Sequence, residues 1–179
     1  SSKEEIKIGH IVNLISDEYG HKCKEKGLEF NFWSDVSDII IETDRDKLMR
    51  AILITLDNAI KFTPKGKIEF SCLLQTHDNE KQVVFKISDT GIGIAPEYID
   101  HIFNPFSQQD MGTSREFGGC GLGLAVASTL MLQLQGTIHV DSTENSGSVF
   151  SISLPIPSEP NDQSKTEEPP LLDTDVVLF

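Results

Sequence analysis

A glycine-rich, loop-like stretch from Asp89 to Cys120 interrupts a chain that otherwise alternates strand and helix patterns. A loop of that length inside a compact domain is uncommon and usually functional. It opens on Asp89-Thr90-Gly91-Ile92-Gly93-Ile94, straight after a strand pattern, and a short helix is predicted around Pro96–Phe103. It closes on Gly118-Gly119-Cys120-Gly121-Leu122-Gly123-Leu124, which opens a helix pattern from Leu122 to Gln135 with Gly136 as its C-cap.

The flanking patterns define the architecture. Ile8, Ile11, Val12, Ile15 and Tyr19 predict a helix over 7–26, stopped by Gly27. Leu28, Phe30 and Phe32 alternate as a half-buried strand, and Ile39 to Glu42 read as a short buried one. Asp44 can cap a helix whose apolar stripe is Leu48, Ile52, Leu56, Ala59 and Ile60, ended by Pro64 and Gly66. Ile68 to Leu74 and Val83 to Ile87 alternate around a hairpin loop at His77–Glu80. Thr137–Ser142 and Ser148–Leu154 form a last hairpin around Glu144–Gly147. The expected fold is α/β: a two-layer sandwich with a mixed sheet of about five strands and helices on one face.

Composition narrows the function. Apolar residues are 38% of 179, enough for one packed domain. The net charge is −13 and no Lys/Arg cluster appears, so a nucleic-acid partner is excluded. No apolar run approaches the ~20 residues of a membrane span, and no signal-type leader opens the sequence, so direct membrane contact is not expected. Cys23, Cys72 and Cys120 are too scattered for a zinc site or a disulfide framework. An intracellular protein, or the intracellular piece of a larger one, is expected. The fold is expected over 1–156. The acidic, Pro-rich 157–179 reads as a disordered linker or tail.

Three segments carry candidate chemistry. Asn58 and Lys61 share a helix face distinct from the apolar stripe. A carboxamide oxygen suits Mg²⁺, and an ammonium beside it suits phosphate. Taken alone, the pair also fits an ordinary helix surface. Asp89, at a strand end, can accept a hydrogen bond from adenine's amino group, while Gly91 and Gly93 let backbone approach a ring closely. Taken alone, Asp-Thr-Gly also fits a tight turn. Glycines opening a helix let N–H groups converge on phosphate, although the same text fits a flexible joint. Neither a GxGxxG spacing nor a GxxxxGK[ST] motif occurs.

In this order the segments resemble the catalytic ATP-binding domain of sensor histidine kinases. Asn58-Ala59-Ile60-Lys61-Phe62-Thr63 resembles the N box, Asp89 to Ile94 the G1 box, Ile102 to Gln108 the F box and Gly119 to Leu124 the G2 box. The resemblance covers about residues 7–156 and implies a Bergerat-type fold with a mostly antiparallel sheet. It implies ATP and Mg²⁺ as ligands, with Asn58 on Mg²⁺, Lys61 near the phosphates and Asp89 on adenine. Gly91 and Gly93 would shape the pocket, and Gly119, Cys120, Gly121, Leu122, Gly123 and Leu124 would cradle the phosphates. Residues 104–120 would form a lid anchored by Phe106. Arg115 would contact ATP or the partner domain, or stand solvated. Phe106-Ser107-Gln108-Gln109 with Thr113-Ser114-Arg115 resembles hybrid kinases, which carry a receiver domain downstream.

Two positions depart from that pattern. Ile54 stands one turn before Asn58, where relatives carry Asn, His or Glu, so no residue for general base catalysis is identified. Cys120 stands where Thr or Ser is common. The phosphoacceptor text follows none of His10, His21, His77, His101 or His139, so the acceptor belongs to a separate dimerisation and histidine phosphotransfer domain of the same kinase. The fragment is expected to be monomeric and cytosolic, part of a receptor that is membrane-anchored or not. Two other readings remain: a degenerate regulatory module, suggested by Ile54, and an ATPase of the chaperone, gyrase or mismatch-repair type.

Overall fold

Ile8, Ile11, Val12, Ile15 and Tyr19 recur at helical spacing, and helix α1 (Ile8–Lys26) buries all of them. This computed structural model describes residues 2–105 and 123–158. Gly27 ends α1 in the left-handed region at φ 80°. The N–H groups of Gly27 and Leu28 close on the carbonyls of Lys24 and Cys23 at 3.1 and 2.8 Å. Helix α2 (Arg45–Lys61) starts at Asp44, whose carboxylate accepts the Lys47 N–H at 3.2 Å. Asp44→Ala is expected to lower the unfolding free energy by about 1 kcal/mol, read from urea denaturation.

The remaining elements are strands β1 (Glu4–Lys7), β2 (Glu29–Ser34), β3 (Ile40–Thr43), β4 (Lys67–His77), β5 (Glu80–Asp89), β6 (Thr137–Thr143) and β7 (Gly147–Pro155). Helices α3 (Pro96–Ile99) and α4 (Gly123–Gln133) complete the described chain. The main sheet runs β2-β4-β5-β7-β6; β2 and β4 are parallel and every other pair is antiparallel. A single rung crosses all five strands: Phe32, Phe70, Ile87, Phe150 and Val140 stand side by side. Burying that rung under α1, α2 and α4 makes one continuous core with Tyr19, Leu48, Ile52, Leu56 and Met131. The fold is the two-layer α/β sandwich expected from the patterns.

Several elements differ from the sequence reading. Ile40–Thr43 does not join the main sheet. It pairs antiparallel with β1, a strand the apolar pattern does not announce because Ile6 is its only buried residue. Helix α3 ends at Ile99, and residues 100–105 continue as turns. After α4 the left-handed residue is Gln135 at φ 60°, not Gly136. Gly136 answers a different need, since a Cβ there would lie 2.5 Å from the Ser153 carbonyl oxygen. The β4–β5 turn shrinks to Asp78-Asn79, both at positive φ, as a two-residue hairpin requires. No helix among the described residues is long and apolar enough to cross a membrane.

Helices α1 and α2 meet through a polar contact beside the predicted Asn58. The buried Tyr19 hydroxyl donates to Asp57 Oδ1 at 2.7 Å, and Lys22 Nζ approaches the same carboxylate at 3.7 Å. Burial, reinforced by the Asp57 hydrogen bond and charge, raises the Tyr19 pKa.

Candidate functional site

The core face of the sheet turns polar at one end. Side chains alternate along a strand, so Asp89 follows Val83, Phe85 and Ile87 onto the helix-covered face of β5. By the same count Ser148 precedes Phe150 on β7, and Ser142 follows Val140 on β6. The register sets Asp89 beside Ser148 and Ser148 beside Ser142. Where the next rung is aromatic and aliphatic, this one carries a carboxylate and two hydroxyls.

Asp89 is 7% exposed. Its Oδ1 accepts the Gly91 N–H at 2.9 Å. Burial raises its pKa, opposed by the N–H groups of Gly91 and Ser148 and by the Thr63 hydroxyl, and burial prevails. Thr63 is fully buried, and among the described residues its hydroxyl makes no hydrogen bond of good geometry. Gly91 stands between the two groups. A Cβ there would lie 2.7 Å from Thr63 Oγ1, 2.9 Å from Asp89 Oδ1 and 2.2 Å from the Phe62 carbonyl oxygen. A carboxylate, a buried hydroxyl and a bare backbone thus converge, a donor–acceptor set that suits a purine amino edge.

The loop after Asp89 is held from both sides. Thr90 N–H donates to the Lys67 carbonyl at 3.1 Å, and Ile92 N–H to the Phe62 carbonyl at 3.1 Å. On the other side the β6–β7 turn offers Asn145 N–H to the Ile92 carbonyl at 2.7 Å, and Ser142 Oγ accepts Ile94 N–H at 2.9 Å. Gly93 at φ 65° faces this turn, where a Cβ would lie 2.0 Å from the Thr143 carbonyl oxygen. Its glycine therefore serves the fit of loop against hairpin.

The predicted metal and phosphate residues lie on α2 and at the start of α4. Ile54 and Asn58 share a face: the Asn58 side-chain NH₂ donates to the Ile54 carbonyl at 3.2 Å, and no described residue donates to its carboxamide oxygen. Gly123 meets the same face, since a Cβ there would lie 3.4 Å from Ile54 Cγ2 and 3.7 Å from Asn58 Nδ2. The structure therefore brings Ile54, Asn58 and Gly123 together. Lys61 is half-buried, its Nζ 5.3 Å from the centre of the Phe62 ring. The Leu124 side chain is 4% exposed inside the core, so its part in a phosphate cradle would fall to its backbone.

Phe106, Arg115, Gly119, Cys120, Gly121 and Leu122, with most of the expected lid, lie outside the described residues. The start of the F box is described: Ile102 is buried and Phe103 meets Phe150 edge-on at 6.3 Å. Cys23 and Cys72 are buried in the core, where burial pushes both thiols up, Cys72 to about 12. The sequence reading assigned no role to Thr63, Ser142 or Ser148. The period-two alternation that placed Phe85 and Ile87 inward would have placed Asp89, Ser142 and Ser148 inward too.

Comparison with known proteins identifies the family and the fold. The model of the "Histidine kinase-, DNA gyrase B-, and HSP90-like ATPase" family matches residues 43–158. The chain is 38% identical over 155 residues to the autoinducer 2 sensor kinase/phosphatase LuxQ of Vibrio cholerae, covering 86% of this chain and 18% of that protein. It thus spans about a fifth of the length of such relatives. Among solved structures it is similar to full-length ShkA in complex with AMPPNP, with a TM-score of 0.72, 27% identity, and coverage of 88% of this chain and 32% of that one. The catalytic domain of the histidine kinase ThkA shows the same fold, with a TM-score of 0.72, 23% identity, and coverage of 87% of this chain and 97% of that one.

Proposed function

The chain belongs to the histidine kinase-, DNA gyrase B- and HSP90-like ATPase family, with sensor histidine kinases as its relatives, and from that premise we propose that it is the phosphoryl-donor half of a protein-histidine kinase. It binds ATP and presents the γ-phosphoryl group to a histidine on a separate dimerisation and phosphotransfer domain. The P–O bond to the β-phosphate breaks, a P–N bond to the imidazole forms, and ADP leaves. The observation that carries this reading is the buried Asp89 carboxylate beside the buried Thr63 hydroxyl, with a glycine between them where a Cβ would not fit.

The residues divide the work by position. Asp89 and Thr63 hold the adenine amino edge and reject guanine, whose carbonyl would face an acceptor. Asn58, through its carboxamide oxygen, would hold Mg²⁺, which would supply neutralisation of phosphate charge. Lys61 adds a point charge nearby. The N-terminus of α4, with Gly119 to Gly123 before and within it, receives phosphate oxygens on backbone N–H groups. Phe106 anchors the lid, and Arg115 meets ATP or the partner domain. Residues 1–156 form this domain, and the acidic 157–179 is a linker or tail, as a linker one that would lead to a receiver domain. The fragment is monomeric and works in the cytosol. Calorimetry with ATP and Mg²⁺, followed by phosphotransfer to a separately supplied acceptor domain, tests the assignment. Binding with transfer supports it, and absence of nucleotide binding at millimolar concentration refutes it.

Ile54 favours a second reading, a nucleotide-binding regulatory module with little transfer activity. Its carbonyl accepts from Asn58 and its apolar side chain lies beside Gly123, so that side chain offers neither a metal ligand nor a proton acceptor. Ile54→Asn is expected to raise Mg-ATP affinity or the transfer rate by roughly tenfold or more. If titration and phosphotransfer assay both stay at the wild-type level, the apolar residue costs the chain nothing.

A further inference from the structure

We propose that Ser142 is a positioning residue for the adenine-side loop, setting nucleotide affinity from behind the site; the inference rests on the nucleotide reading above. The hydroxyl has three partners: Ile94 N–H at 2.9 Å, the Gly147 carbonyl at 3.0 Å and Ser148 Oγ at 2.8 Å. A hydroxyl has one proton to give and two lone pairs to offer. Ser142 donates to Gly147 and accepts from Ile94 and Ser148, which uses all three.

The network leads directly to the carboxylate. Ser148 is 6% exposed, sits beside Asp89 in the register, and its N–H favours the ionised Asp89. Gly147, at φ 104°, presses on the same strand end, where a Cβ would lie 2.0 Å from the Asp89 carbonyl oxygen. The hairpin therefore grips both ends of the loop: Asp89 through Ser148 and Gly147, and Ile94 through Ser142. Thr90, Ile92 and Asn145 tie the loop by backbone to backbone bonds, which no substitution removes cleanly. Ser142 supplies the fastening at the far end through a side chain. Without it Ile94 loses its side-chain tie to the hairpin, and the far end of the loop must be ordered by the ligand itself. That ordering cost falls on binding, because Ser142 lies on the adenine side, away from Asn58.

Ser142→Thr and Ser142→Val separate the hydroxyl from the fold. Both are β-branched, suit a strand and differ only in that group. ADP binding to the whole chain is measured by calorimetry, with and without Mg²⁺. Thr is expected within about twofold of wild type and Val about tenfold weaker, by the same factor with and without Mg²⁺. Amide exchange at Ile94 should accelerate in the Val variant and not in the Thr variant. Equal affinity of Thr and Val, or a Val defect that appears only with Mg²⁺, overturns the assignment while leaving the nucleotide reading intact. A wild-type chain that binds no ADP removes both.

Discussion

Asp89→Ala is expected to weaken ATP binding by at least about a hundredfold, measured by calorimetry against the wild-type chain. The substitution removes the acceptor for the adenine amino group. It also strands the Gly91 N–H, held by the carboxylate at 2.9 Å, and deprives Thr63 of its charged neighbour. Guanine nucleotides should gain nothing in exchange, since no donor is created. A variant that binds ATP as tightly as wild type would remove the basis of the assignment.

The same carboxylate fixes a pH dependence. Burial raises its pKa above the ordinary value of about 3.9. Once protonated, Asp89 offers its acceptor poorly, so affinity falls as pH drops through the raised pKa, at a higher pH than an exposed carboxylate would give. Stability runs the other way. With a raised folded-state pKa, the stability linked to Asp89 is fully present below the unfolded pKa and is lost as pH climbs through the folded one. In Asp89→Ala both trends should vanish from this site, a result that calorimetry and thermal melts at stepped pH can read.

Gly91→Ala is expected to destabilise the fold by about 3 kcal/mol or more and to lower the melting temperature by about 10 °C. The cause is steric, because φ at Gly91 is not positive. The new Cβ would sit 2.2 Å from the Phe62 carbonyl oxygen, and that oxygen already accepts the Ile92 N–H at 3.1 Å. Moving Phe62 would break that bond, and moving the loop would break the Asp89 contact. Nucleotide binding should therefore be lost even where the variant remains folded. Gly123→Ala provides the contrast. Its Cβ would meet Ile54 and Asn58 at 3.4 and 3.7 Å, ordinary contact distances, so a change within about 0.5 kcal/mol is expected.

The elements with strong apolar periods were legible before any coordinates. The α1 and α2 stripes, the β4–β5 hairpin and the last hairpin follow from residues such as Ile11, Ile52, Phe70 and Phe150, whose burial dominates local energetics. Strand β1 was not legible, because Glu4, Glu5 and Lys7 are exposed and only pairing with β3 makes them a strand. The shift of the left-handed position from Gly136 to Gln135 is tertiary too, since the glycine is required by the approach of β7. In the candidate site, Asp89, Gly91 and Asn58 stood out through the order of the segments and their resemblance to the kinase boxes, not by type and spacing alone. Thr63 and Ser142 did not. A threonine after a helix and a serine at a strand end are common, and what distinguishes these two is what stands across from them in space.

The Tyr19 hydroxyl gives the molecule a lever. Tyr19 is 1% exposed, so its hydroxyl would lose a partner if the bond to the more exposed Asp57 broke, and Asp57 is the immediate neighbour of Asn58. Any push or twist that displaces α1 must either drag the adjoining turn of α2 along or break that bond. A mechanical disturbance at the near end of the chain would thus arrive one peptide unit from the proposed magnesium ligand, with no intervening loop to absorb it.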